Sequence, residues 1–240
     1  MKRILTGVVV VASIASSFAF SQSNTIPKNL SQYDFENYSV LLTCSDRAPN
    51  ISNECQPKRL GTYKGKHGPE QVSFDRSHLI DANTFDFSAT AIKQSNYMVN
   101  IAPQISYLNR DYAWKEIEER LDCYRTPEYI SQDKSILVMA GVIWGNNESD
   151  DYFIDSHGVK TPDAFFKIVS FNGGPQGNKV YAWKIPNVSG SQSDNPDDFL
   201  VSVQSLVIDS GVFEIRDLVP VVDYTVSETS MPRPSVCDLS

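Results

Sequence analysis

The sequence predicts an α+β fold with a central, largely antiparallel sheet flanked by helices. Two patterns predict it. Short continuous apolar runs bounded by turn formers recur in the second half of the chain, as buried strands require. Strand and helix patterns also interleave without a regular β-α-β rhythm, which argues against a parallel doubly wound sheet.

Taken in order, the chain opens with Lys2 and Arg3, an apolar stretch from Gly7 to Phe20, and the small-residue pattern Ala19-Phe20-Ser21. That is the layout of an export signal. The stretch is too short to span a bilayer comfortably, and nothing later exceeds it. Residues 1–21 are therefore expected to be removed on export to periplasm or medium. Residues 22–240, about 219 residues, then form a single domain around one core.

Residues 22–68 are polar and turn-rich, with short strands expected near 38–42 and 61–64 and another at 72–74. Residues 84–98 carry no decisive pattern. A helix is expected from about Asn109 to Cys123, because Ala113, Ile117, Leu121 and Tyr124 form an apolar stripe at helical spacing. Glu116, Glu118, Glu119 and Arg120 lie off that stripe. The run SILVMAGVIW (135–144) reads as a buried strand, and AFFKIVSF and KVYAWKI read as two strands joined by NGGPQGN. That loop lacks the lysine and helix of a phosphate-cradling loop, so it is a turn. A polar loop at 189–198 precedes a last helix ending at Gly211.

The formal charge is −8, and loss of Lys2 and Arg3 takes it to −10. Such a balance excludes broad electrostatic attachment to membranes or nucleic acid, but not a site where a few cations and a metal ion handle one phosphate. Four cysteines in an exported chain favour two disulfides, with Cys44–Cys55 and Cys123–Cys237 as the expected pairing.

Imidazole chemistry must choose among three histidines. His67 and His157 each precede a glycine, a context typical of surface turns. His78 instead follows Asp75-Arg76 near the end of a strand, where a neutral ring can accept a proton near physiological pH. Downstream, Asn100, Gln104 and Asn109 supply three carboxamides ahead of a helix carrying Trp114 and Glu118 one turn apart. An oxygen-rich set without cysteine suits Mg²⁺, which keeps most of its waters and takes one or two protein oxygens. A histidine, an arginine, a carboxamide and a carboxylate are the parts a phosphodiester hydrolase requires.

These residues resemble the DNA/RNA non-specific endonucleases with a ββα-metal motif. The family's D-R-G-H stands here as Asp75-Arg76-Ser77-His78, and its N-x-x-P-Q, L-N, W and E as Asn100 to Gln104, Leu108-Asn109, Trp114 and Glu118. Further likeness runs through VMAGVIW, TPDAFFKIV and DSGVF. The resemblance implies a ββα-metal nuclease fold acting on DNA and RNA and leaving 5′-phosphate ends. His78 would be the general base and Asn109 the direct ligand of Mg²⁺, which Mn²⁺ can replace. Glu118 would hold a hydrating water of the ion, Arg76 would stabilise the transition state, and Asn100 would orient the site. Asp75 would position the loop backbone, and Arg59 is a candidate phosphate contact.

Three positions depart from the pattern. Ser77 replaces glycine, which would strain the backbone if φ were positive there. Asn83 stands where alanine is usual. Asn109 and Glu118 are nine residues apart, one more than usual, which on a regular helix turns them about 180° apart instead of about 80°. Either Asn109 precedes the first regular turn or the helix contains a π-bulge. A catalytically silent binding relative and a phosphodiesterase of small substrates are the alternative readings.

Overall fold

The computed structural model describes residues 7–13, 30–34, 38–43, 62–85, 88–97, 100–124, 135–172, 179–211 and 230–234. Its strands are β1 (Gly7–Ser13), β2 (Leu30–Asp34), β3 (Tyr38–Thr43), β4 (Phe74–His78), β5 (Ile101–Ile105), β6 (Ser135–Trp144), β7 (Pro162–Asn172) and β8 (Lys179–Pro186). Its helices are α1 (Ala89–Ser95), α2 (Ser106–Arg110), α3 (Ala113–Tyr124), α4 (Ile154–His157) and α5 (Val203–Ser210). Six strands form one antiparallel sheet in the order β2-β3-β1-β6-β7-β8, and β4 pairs with β5 in a separate two-stranded sheet. The α+β expectation with a largely antiparallel sheet is met.

Period-2 alternation divides the large sheet into two faces. Along β6, Val138, Ala140, Val142 and Trp144 join one core, while Met139 and Ile143 join another. On β7 the split is Phe165, Val169 and Phe171 against Ala164, Phe166 and Ile168. Helix α3 covers the first face through Trp114, Ile117, Leu121 and Tyr124, and α5 covers the second through Val203, Leu206 and Val207. Helix α5 is capped by the Ser202 side chain and stops at Gly211, whose φ of 70° is the left-handed conformation glycine adopts without penalty.

Several local expectations shift. No strand forms over 62–64, and the strand expected at 72–74 instead begins at Phe74 and runs through the whole Asp-Arg-Ser-His motif. Pairing with β5, from Phe74 opposite Ile105 to His78 opposite Ile101, sets these bounds. Strand β5 has Pro103 at its centre, which propensity argues against; a two-stranded sheet leaves it an outer edge where the missing N–H costs little. Asn187 stitches that edge, accepting from Ile105 N at 2.9 Å and donating to the Pro103 and Pro162 carbonyls. Residues 84–98 contain α1, capped by Ser88. His157 is buried against Tyr63 and Phe153, not placed on a surface turn, because α4 turns it into the core.

The helix expected from Asn109 to Cys123 is two helices. Asp111 ends α2 with φ −130° and ψ −16°, and the Ala113 N–H donates to the Ser193 carbonyl at 3.0 Å instead of closing onto Asn109. A C-terminal segment then straps α3: Arg120 donates to the Met231 carbonyl at 2.6 Å, Tyr124 to the Pro232 carbonyl at 2.7 Å, and Arg233 pairs with Glu116 at 3.0 Å. Cys123 is disulfide-bonded. Cys44, Cys55 and Cys237 lie outside the described residues.

Residues 7–13 of the expected export signal form β1, set between β3 and β6 with Gly7 opposite Ile143 and Ser13 opposite Leu137. Removing the signal would take this strand out of the sheet. The packing of α3 on the sheet makes a direct prediction. Ile117 has no exposed surface, so Ile117→Ala should lower unfolding free energy by about 2–5 kcal/mol in urea titrations. A loss below about 1 kcal/mol would contradict that packing.

Candidate active site

Strand β4 presents Asp75 and Ser77 on one side and Arg76 and His78 on the other. Among the described residues Gln71 is the one non-glycine with positive φ, so Ser77 sits in ordinary extended backbone without strain. Buried, it turns its hydroxyl onto Asn109, donating to Oδ1 at 2.7 Å. The departure from glycine therefore adds a hydrogen bond at the expected ligand oxygen.

Asp75 holds the other end of the same carboxamide. Its Oδ2 accepts from Asn109 Nδ2 at 3.2 Å, its Oδ1 accepts from Ser106 Oγ at 3.0 Å, and Arg110 grips both oxygens at 2.6 Å. A carboxylate accepts only, so Nδ2 must face Asp75 and Oδ1 must face Ser77. Burial alone would raise the Asp75 pKa, but the donors from Arg110, Asn109 and Ser106 outweigh it and hold the group below the usual carboxylate range. Asp75 thus orients Asn109 directly, beyond the backbone role expected for it. The break after α2 leaves Asn109 before the first regular turn of α3, which absorbs the extra residue.

His78 is fixed from α1. Asn96 donates through Nδ2 to the Ile92 carbonyl at 2.9 Å, so its Oδ1 faces His78 Nε2 at 3.1 Å. Nε2 therefore carries the proton, and Nδ1 is the lone-pair nitrogen of the neutral ring. Burial lowers the His78 pKa below 6.5 and Arg76 adds to this, while Asn96 and Asp81 oppose it.

Asn100 is completely buried and spends its carboxamide on backbone: Nδ2 donates to Ile80 O and Ser95 O at 2.8 Å each, and Oδ1 accepts from Ile80 N at 3.0 Å. It pins the segment after His78 and has no group left for substrate. Glu118, on α3, meets Lys167 from β7, whose Nζ lies 3.1 Å from Oε1 and 3.9 Å from the Trp114 ring centroid. Burial pushes the Glu118 pKa up to about 7; Lys167 pulls it down, and Asp81 and Asp122 push it up. Asp81, held by Thr84 through two 2.7 Å hydrogen bonds, acts electrostatically on both His78 and Glu118. Among the described residues no hydrogen bond joins His78, Asn109 and Glu118 to one another. Asn83 reaches Asp122 of α3 at 3.5 Å. Arg76 is exposed on the His78 side, and Arg59 lies outside the described residues.

The donors fit a hydrated divalent ion. Asn109, itself half-buried, offers an oriented oxygen, and Glu118 a half-buried carboxylate, whereas among the described residues no group of three His, Cys, Asp or Glu side chains gathers to cage a metal. A groove of about 500 Å³ is lined by His67, Tyr152, Glu70, Asp150 and Asp163 among others. It contains none of the site residues, and its carboxylates would repel a phosphate chain. Burial and then Asp150 and Asp151 raise the Asp163 pKa.

Sequence reasoning missed Asn96, Asp81 and Lys167. The first lay in a segment without a pattern, and Lys167 reads locally as one more strand residue. The Asn96 contact yields a prediction. In metal-free protein the His78 ring should titrate by NMR with a midpoint below 6.5, so that it is mostly neutral at pH 6.5, and Asn96→Ala should lower the midpoint further. A rise in the variant would show that Asn96 does not stabilise the protonated ring.

Comparison with known proteins identifies the family. A profile of the DNA/RNA non-specific endonucleases matches residues 19–221. Mitochondrial endonuclease G of Bos taurus is 24% identical over 152 residues, covering 60% of this chain and 49% of that protein, and the Homo sapiens protein gives the same figures. Mitochondrial nuclease 1 of Schizosaccharomyces pombe is 28% identical over 183 residues, covering 71% and 52%. The chain spans about half the length of these curated relatives. A crystal structure of the EndoG/EndoGI complex aligns with a TM-score of 0.48 at 17% identity, covering 75% of this chain and 83% of that one. With all the motif residues of β4, β5, α2 and α3 inside the matched span, the chain belongs to the DNA/RNA non-specific endonuclease family.

Proposed function

We propose that this chain is an exported, Mg²⁺-dependent endonuclease that hydrolyses phosphodiester bonds in DNA and RNA with little sequence preference, giving 5′-phosphate ends. The observation that carries the reading is the Asn109 carboxamide, clamped by Asp75 and Ser77 from the same strand that carries His78, whose Nδ1 is the lone-pair nitrogen. In this reading Nδ1 of His78 takes the proton of the attacking water as its oxygen bonds to phosphorus and the bond to the 3′-oxygen breaks. Arg76 lies on the same side of β4 and offsets the negative charge that builds on the phosphoryl oxygens. Asn109 and Glu118 would hold the ion, which supplies charge neutralisation at the departing oxygen. Arg59 remains a candidate contact to a neighbouring phosphate. Two departures from the family pattern are accommodated, which weighs against a silent relative: Ser77 is unstrained, and the helix break takes up the extra residue.

Two experiments test the proposal. His78→Ala should lower plasmid cleavage by at least about 10²-fold, with EDTA abolishing wild-type cleavage. A variant within about tenfold of wild type would remove His78 as the base. For export, the mature protein recovered from a secreting host should begin near Gln22 and show no alkylated cysteine in its intact mass, consistent with Cys44–Cys55 and Cys123–Cys237. A chain beginning at Gln22 that fails to fold, while the full chain folds, would make β1 an integral strand and overturn the export reading.

A further inference from the structure

Lys167 is the buried charge that the proposed chemistry leaves unexplained. It stands on β7 between Phe166 and Ile168, opposite Ala140 and Trp183, with its side chain 1% exposed. An ammonium placed so deeply is costly unless it is paired, and every strand position around it on this face is apolar. Its partners are two residues of one helix. Nζ donates to Glu118 Oε1 at 3.1 Å and lies 3.9 Å from the centroid of the Trp114 ring, one turn earlier on α3. Glu118 keeps one fifth of its side-chain surface in solvent, and among the described residues Lys167 is its one polar contact. The carboxylate is thereby divided, with Oε1 bound from inside the core and Oε2 in no hydrogen bond among the described residues.

Resting on the nuclease reading, we propose that Lys167 is a positioning residue: it anchors Oε1 of Glu118 from the core so that Oε2 is presented to the hydrated ion at Asn109. The arrangement places the anchor on β7, a strand paired on both sides, and makes Trp114 the platform that keeps the ammonium aimed. The sign of its effect separates this role from a simpler one. A cation near the site acting only as a repelling charge weakens ion binding, and its removal tightens binding. An anchor does the opposite.

The test is a double-mutant cycle read by Mn²⁺ binding in electron paramagnetic resonance, without substrate. Lys167→Met keeps the apolar stem and removes the charge, and should weaken Mn²⁺ about 10–100-fold, the range for groups that orient metal ligands from behind. In a Glu118→Gln background the same substitution should change affinity less than about twofold, because the carboxylate it serves is gone. Tighter or unchanged binding in folded Lys167→Met, or an equal loss in both backgrounds, overturns the proposal. A Mn²⁺-loaded crystal structure of the wild type tests it independently of variant folding: Nζ should remain on Oε1 with Oε2 toward the ion, and a detached Nζ overturns it. Since ion affinity is read without nucleic acid, absence of plasmid cleavage by the wild type would defeat the nuclease reading alone.

Discussion

The site depends on one carboxylate. Asp75 accepts from Arg110, Ser106 and Asn109 at once, and so ties the middle of β4 to the short helix that follows β5. Arg110 is largely exposed, and an ion pair with so exposed a partner contributes little to stability. The value of the cluster is therefore geometric. It chooses which end of the Asn109 amide faces Ser77 and delivers an oxygen, not an NH₂ group, to the place where a cation would bind. Nothing in the helix itself makes that choice, because a carboxamide on α2 is free to turn over unless both its ends are engaged.

Buried polar groups around the site fall into two kinds, and the difference separates support from chemistry. Asn100 satisfies each of its bonds with backbone and is spent in holding the chain after His78. Glu118 is held by one lysine, its pKa is displaced to about 7, and part of its surface still meets water. A group fully satisfied by the fold stabilises it. One left incompletely satisfied and electrostatically displaced is the kind that chemistry uses.

The acidic balance of the chain and a phosphate-handling site are compatible because electrostatics here is local. The acidic groove lined by Glu70, Asp150 and Asp163 does not include the site residues in its lining, whereas Arg76, Lys64 and Lys66 are exposed in the segment that leads into and through β4. Under the proposed function, loose ground-state binding of a polyanion is tolerable, since rate depends on how much better the transition state is held.

Much of this was legible in the sequence. The continuous apolar runs marked β6, β7 and β8 because strands buried on both faces need apolar residues at every position. The stripe at Ala113, Ile117, Leu121 and Tyr124 marked α3, and the ordered motifs marked His78, Asn109 and Glu118. Only the tertiary structure decided the rest. The helix breaks at Asp111 because the Ser193 carbonyl, far along the chain, takes the Ala113 N–H. Strand β5 tolerates Pro103 because Asn187 stitches its outer edge. Ser77 is unstrained because β4 is extended through it, and Lys167 is intelligible only once β7 lies beneath α3. Periodicity and composition record what a segment needs to bury. They do not record which distant group meets a donor or a charge, since that partner is brought near only when the chain closes on itself.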